Sequence, residues 1–409
     1  MTTTTSLADR HRLLPDGVKD MFGAPAAQLQ AMSDQLRRRF SSWGYDEVIP
    51  PTFEYFDTLA LGAGPRLEVG MYRFFDREGQ GLALRPDLTV PIARIAATRR
   101  FDELLPQRYA YVASVFRYED PQGGHQREFF QAGAELIGTA SPHADAEILA
   151  LAADAIRNLG IADFRLSIGH IGFFRDLLAA APFSPAEAEA ITEAVDLRNV
   201  PLLRRLLGDT PASPATRRLL GDLPSLCGGA ETLERARELV PNDDPPRRAL
   251  DHLAAIYHLL EAYGLSEVVM IDLAEVRGMD YYTGITFEAY AAGSGHAIAS
   301  GGRYDNLLAR FGADLPAVGF ALMLERAMQA LNRSGDAMAE PHPDALMAAC
   351  DHPDCLADLL RRRAFGQRVE LDVAGKSLDS LLAEARERHV PVVLTCKNAI
   401  ALPNSTHTS

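Results

Sequence analysis

Two periodicities share this chain, and their order predicts its architecture. From Pro25 to Gly44 the apolar residues Leu29, Met32, Leu36 and Phe40 recur at helical spacing, which predicts an amphipathic helix ended by Gly44. YDEVIPP follows as a short strand closed by Pro50-Pro51. MYRFFD and LALRPDLT predict a hairpin pair, the second leading into a helix through Thr98. QRYAYVASVFRYE and REFFQAGAELIG predict two longer strands around the polar loop DPQGGHQ. SPHADAEILALAADAIRNLG has the spacing of a helix, and FRLSIGH that of a strand. Residues 172 to about 262 are helical in pattern, broken by Pro, Gly and Ser.

Strand periodicity resumes at VVMIDLAEVRG and is densest between Arg277 and Arg326. There Tyr282, Gly284, Thr286 and Glu288 alternate with Thr283, Ile285, Phe287 and Ala289. Glycine-rich turns are expected at Gly293 to Gly295 and at Gly301-Gly302, returning the chain antiparallel. VGFALMLER is expected to end a strand at Gly319 and start a helix carrying Glu325 and Arg326. Antiparallel hairpins with a late helical block, and no βαβ repeat, argue an α+β fold. Residues 1–10 are expected to be disordered, 11–331 to form the main domain with its helical insertion at about 172–262, and 332–344 to be a linker. Residues 345–409 predict a small α/β unit: ALMAAC, a helix, RVELDV, a helix from Ser377 to Arg388, then VPVVLTC.

Composition narrows the class. A chain of 409 residues, 47% hydrophobic and 23% charged, is that of an ordinary globular protein. The formal charge of −14 argues against a broad basic surface for nucleic acid. Four scattered cysteines, no apolar leader in MTTTTSLADRHR and no apolar run near the roughly 20 residues of a membrane span point to the cytoplasm. Cys350, His352 and Cys355 (CDHPDC) have the look of metal ligands, but no second ligand pair follows, so ordinary cysteines at a strand end are the favoured reading and no metal is expected.

The candidate chemistry lies in the strands. Arg117 and Glu119 fall two residues apart, on one strand face. Gln131 and Glu135, four apart, share a face of the returning strand. With Asp87 and Thr89 after Arg85, they assemble carboxylates and amides beside arginines. Such a set suits a zwitterionic small ligand, acidic groups for its amine and arginine for its carboxylate. Each residue alone is equally at home in a solvated ion pair.

Taken in order, the segments are more specific. LPDGVKDMF, GYDEVIPPTFE, LRPDLT, FRYEDPQ…REFFQ, RGMDYYTG, SGGRYDNL and GFALMLER together resemble the class II aminoacyl-tRNA synthetase catalytic domain, and within it histidyl-tRNA synthetase, over roughly residues 12 to 330. The resemblance implies a class II antiparallel sheet flanked by helices, dimerisation through about Gln28 to Glu54, and a histidine pocket. Tyr281, Tyr282, Gln131 and Glu135 would line the imidazole, Asp87 and Thr89 the amine, with Arg277 assisting. Arg117 and Arg326 would correspond to the arginines that clamp ATP phosphates.

Four departures fall on the ATP or tRNA side. Asp120 stands where an arginine is usual, the GGHQ loop offers only His125, Asp87 replaces a glutamate, and Met323 replaces the glycine of the third motif. Glycine lets a backbone approach a ligand closely; a methionine side chain fills that space. The tail resembles the beginning of the anticodon-binding domain and lacks its remainder, with mixed charge. This pattern resembles the regulatory subunits of ATP phosphoribosyltransferase, paralogues of histidyl-tRNA synthetase. Implied are a non-catalytic chain with no cofactor, a vestigial nucleotide site (Arg117, Glu119, Arg326, Met323), and L-histidine as allosteric feedback ligand in histidine biosynthesis. Its implied partner is a short-form catalytic transferase subunit, joined as a homodimer within a hetero-octamer, with neither tRNA nor membrane as partner. An active histidyl-tRNA synthetase and a free-standing histidine sensor stand as the alternatives.

Overall fold

The computed structural model describes residues 13–118, 126–208, 210, 212–240, 244–276, 282–334 and 342–402. The chain divides into two compact units, one running to Ala337 without Phe22–Ala27, the other comprising Phe22–Ala27 and Met338–Ser409. The strands of the first unit are β1 (Asp46–Glu47), β2 (Phe53–Tyr55), β3 (Arg73–Phe75), β4 (Gly81–Leu84), β5 (Gln107–Phe116), β6 (Glu128–Ile137), β7 (Phe164–His170), β8 (Cys227–Gly228), β9 (Val269–Asp272), β10 (Ile285–Ala291), β11 (Ala299–Arg303) and β12 (Ala317–Met323). Those of the second are β13 (Ala345–Met347), β14 (Val369–Leu371), β15 (Val392–Leu394) and β16 (Ala399–Ala401).

The main sheet has the order β1-β5-β6-β12-β11-β10-β7-β9-β8. It is antiparallel from β5 to β7, with β1 and β9 joining parallel, so the large sheet is mixed. Alternation divides its two faces. Ala132, Ala134, Leu136, Phe320, Leu322, Phe287, Ile168 and Leu166 are buried in the main core with the helices Pro142–Asn158 and Pro245–Ala262. The opposite face is partly covered by the helix Thr89–Arg99, which buries Ile92, Ala93 and Ala96 against Tyr109 and Tyr111. Beyond that helix the same face carries the polar residues Gln131, Glu135 and Thr286, all of them buried.

The helix Gly23–Ser42 buries the predicted Leu29, Met32, Leu36 and Phe40. Residues 171–262 are helical as expected, except that Cys227–Gly228 adds an edge strand beside β9. Two expectations are corrected. Gly301 and Gly302 do not form a turn; they lie inside β11, and the turn falls between Ala291 and Ile298. A Cβ on Gly302 would come within 2.8 Å of the Tyr282 ring, so glycine there serves close packing. Gly319 likewise lies inside β12, which continues to Met323 before the helix Leu324–Ser334 begins. That helix extends past the expected linker start at 332. The expected disordered segment 1–10, and most of that linker, lie outside the described residues.

In the second unit the sheet order is β14-β13-β15-β16, with β14, β13 and β15 parallel. The helix Pro353–Ala364 packs on one face through Leu359, and Leu378–Glu387 on the other through Leu381 and Ala385. The predicted strand–helix order is present, and the hairpin strand β16 adds to it.

Candidate functional site

Strand register builds the site floor. Glu135 on β6 faces Gly319 on β12, Gly319 faces Gly302 on β11, and Gly302 faces Thr286 on β10. Four residues along the strand, Gln131 faces Met323. Cross-strand partners share a face, so Glu135, Gln131, Thr286 and Met323 all belong to the polar floor.

Glu135 is fully buried and accepts hydrogen bonds from Thr89 Oγ1 at 2.8 Å, from the Tyr111 hydroxyl at 3.4 Å and from the Tyr304 hydroxyl. A Cβ on Gly319 would run into this carboxylate, so glycine is required opposite it. Burial pushes the Glu135 carboxyl up to about 8; the Tyr304, Thr89 and Tyr111 hydroxyls pull it down, and the Asp87 charge adds to the rise. Tyr304 and Tyr111 went unassigned in the sequence. Tyr111 alternates with Tyr109 along β5, and Tyr304 follows directly on SGGR, which are the signals that could have found them.

Asp87 and Thr89 lie at the start of the helix Thr89–Arg99, where the Val90 N–H donates to Asp87 Oδ1 at 3.3 Å. Burial raises the Asp87 carboxyl, opposed by the Arg117 charge and the Val90 N–H. Arg117 follows the end of β5 and donates from Nε to the Pro86 carbonyl at 2.7 Å, with its guanidinium 5.3 Å from the Phe129 ring centroid. The expectation that Arg117 lies within the strand is therefore corrected by one residue. The Tyr282 hydroxyl is pushed up chiefly by burial and also by the charges of Glu135, Asp87 and Glu288, and its ring lies against Gly302, the cross-strand partner of Gly319.

The structure thus brings Asp87, Thr89, Gln131, Glu135 and Tyr282 to one region, with Arg117 beside Asp87. Arg277, Tyr281, Glu119, Asp120 and His125 lie outside the described residues. Arg326 is turned to a different loop, donating to the Ala297 carbonyl at 2.8 Å. Glu325, beside it, accepts the Phe130 N–H with both carboxylate oxygens, at 3.1 and 3.0 Å, and so fastens the helix Leu324–Ser334 to β6.

Two buried polar atoms on the floor are unsatisfied: Gln131 Oε1 and Thr286 Oγ1. Most buried polar groups are hydrogen-bonded, so these two exceptions on one face are places where a polar ligand would find a partner.

The histidyl-tRNA synthetase family model matches residues 17–327. The ATP phosphoribosyltransferase regulatory subunit of Desulforamulus reducens is 42% identical over 337 residues, covering 82% of this chain and 83% of that protein. The chain belongs to the family of ATP phosphoribosyltransferase regulatory subunits. The regulatory subunit of Geobacter sulfurreducens is 38% identical over 382 residues, covering 92% of this chain and 86% of its own. A crystal structure described as an ATP phosphoribosyltransferase regulatory subunit/histidyl-tRNA synthetase, from Bacillus halodurans, superposes with a TM-score of 0.82 at 31% identity over 94% of this chain and 98% of that one. The regulatory-subunit family is thus built on a class II synthetase fold, as the order of motifs implied. Among the described residues no helix is long and apolar enough to cross a membrane.

Proposed function

We propose that this chain is a non-catalytic regulatory subunit of ATP phosphoribosyltransferase, supporting the first step of histidine biosynthesis and making it responsive to histidine. The observation that carries the reading is the Met323–Gln131 pairing on the polar floor, in a chain whose relatives are named regulatory subunits. The amino-acid end of the floor keeps its polar groups, while the strand end that adenine would approach carries a side chain.

In this reading L-histidine lies over β6 and β12. Its imidazole offers one donor and one acceptor nitrogen, which Glu135, Gln131 and Tyr282 can match and so fix in one tautomer. Asp87 and Thr89 receive the ammonium group. Arg277 and Tyr281 complete the pocket by resemblance. Arg117 and Arg326, engaged with loop carbonyls, are remnants of a phosphate clamp, with Glu119. Histidine regulates by binding one arrangement of the complex better than the other, and the coupling is reciprocal.

The partner is a short-form catalytic chain, in a hetero-octamer containing dimers of this subunit. Exposed Ile49 (83%), Phe53 (53%) and Tyr55 (57%), near the end of the expected dimer segment, support a covered surface there. Neither tRNA nor a cofactor is part of the proposal, and the complex acts in the cytoplasm.

Reconstitution tests it. Adding the chain to a purified short-form catalytic subunit is expected to raise phosphoribosyl-ATP formation and confer inhibition by histidine. The second reading, an active histidyl-tRNA synthetase, is favoured by the likeness to the Bacillus halodurans protein, described as regulatory subunit/histidyl-tRNA synthetase. Histidine-dependent ATP–pyrophosphate exchange by the chain alone would establish that reading and overturn the first.

A further inference from the structure

The second unit holds a side-chain cluster that the regulatory reading does not use. Cys350 follows β13, His352 caps the helix Pro353–Ala364, and Cys355 sits in the first turn of that helix. Cys396 follows β15, in a turn closed by Thr395 and Asn398. Because β13 and β15 are parallel neighbours, both segments leave the sheet at the same end. The fold therefore brings Cys396, a single further cysteine and not a second ligand pair, to CDHPDC. The three Sγ atoms lie within 4.8 Å of one another.

That spacing is near what a metal asks. Sulfurs bound tetrahedrally at about 2.3 Å from zinc are about 3.8 Å apart, so small side-chain rotations suffice. The backbone presents partial positive charge to two of the sulfurs. The His352 N–H donates to Cys350 Sγ at 3.4 Å, and Cys355 lies at the positive end of a helix of 12 residues. His352 Nδ1 accepts the Asp354 N–H at 3.3 Å, which engages that nitrogen in the helix cap. Cys355 is buried, Cys350 half-buried and Cys396 exposed, so the cluster opens toward solvent on one side.

We propose that Cys350, Cys355 and Cys396 form a three-thiolate site for a soft divalent cation of the zinc class, its fourth position facing solvent. Bound there, the ion ties the ends of β13 and β15 to the start of the helix Pro353–Ala364. Binding displaces the thiol protons, so affinity falls as the pH falls.

The reduced full-length chain, purified without a metal-binding tag, is titrated with Co²⁺ and separately with Zn²⁺. About one ion per chain is expected, with an intense near-ultraviolet thiolate-to-cobalt band. Cys396→Ser should weaken binding by at least about tenfold and diminish the band, while Cys227→Ser, in the other unit, should change neither. Cys396 is exposed, so this variant decides the matter even if the buried Cys355→Ser fails to fold. Absence of the cobalt band in the reduced native chain, or equal losses in Cys396→Ser and Cys227→Ser, overturns the proposal. So does a disulfide between two of the three cysteines that persists in the chain under the reducing conditions of its purification.

Discussion

Met323 and Gln131 are direct cross-strand partners on the polar face of the main sheet, Met323 closing β12 and Gln131 lying inside β6. In the proposed reading, one side chain belongs to the amino-acid floor and the other stands where the resemblance to the synthetases expects glycine. In that reading the boundary between a kept pocket and a lost one runs between two adjacent residues on neighbouring strands.

Removing the methionine side chain should reopen the space. Met323→Gly is expected to raise ATP affinity by at least about tenfold, equivalent to ~1.4 kcal/mol, as read by calorimetry with ATP. The backbone cost of glycine in a strand, about 1 kcal/mol, should appear as a small loss of thermal stability. Unchanged ATP affinity would move the block elsewhere, away from Met323.

Gln131 predicts the opposite balance between stability and binding. Its Oε1 is buried without a hydrogen-bond partner, and such an atom costs about 1–3 kcal/mol. Gln131→Leu removes the cost and keeps the volume. The variant is expected to melt at a higher temperature than the parent without ligand, and to lose the upward shift that histidine gives the parent. A variant that melts lower, or still responds fully to histidine, contradicts this role.

The strands, the helical insertion and the polar set on one face were legible because period and spacing are local properties. Gln131 and Glu135, four apart on a strand, had to share a face. The misread glycines show where local reading stops. Gly302 looks like a turn residue in sequence and Gly319 like a strand end, yet both sit inside strands, with the Tyr282 ring and the Glu135 carboxylate against them. Only strand pairing reveals those neighbours. Tyr304 and Tyr111 escaped for the same reason, since each reaches Glu135 from another strand or loop. Cys396 is far from Cys350 in sequence and meets it only through the parallel pairing of β13 with β15.

The raised Glu135 carboxyl makes stability depend on pH with a definite sign. Its folded value is about 8, against an ordinary 4.5. Between those values the folded chain holds a proton that the unfolded chain has released, so this contribution is complete below 4.5 and is lost as pH rises to 8. Asp145, raised to about 6 by burial, adds a slope of the same sign at lower pH. His170, lowered to about 3 chiefly by burial, acts oppositely, losing stability as pH falls below 6.5. Glu135→Gln removes only the first effect. Urea unfolding from pH 5 to 8 should show a shallower decline in the variant, the difference reaching on the order of a few kcal/mol. Parallel curves would show that Glu135 is ionised throughout this range.

Arg303 supplies a prediction about the fold beneath the floor. Its Nε and Nη2 donate to Asp145 Oδ1 at 2.9 and 2.7 Å, and Nη1 donates to Asp305 at 2.9 Å and to the Thr139 carbonyl at 3.2 Å. Arg303 and Asp145 are both buried, so removing either takes the closest opposite charge from the other, leaving Arg303 with Asp305 and Asp145 with His252. Arg303→Ala and Asp145→Ala should each cost about 3–5 kcal/mol in chemical denaturation. The double variant should lose less than the sum of the two, because the second substitution removes the charge stranded by the first. Additive losses would mean that packing around each side chain, rather than the ion pair, sets the penalty. The same cycle repeated with saturating histidine should give an unchanged coupling energy, since the pair lies outside the residues proposed to contact the ligand.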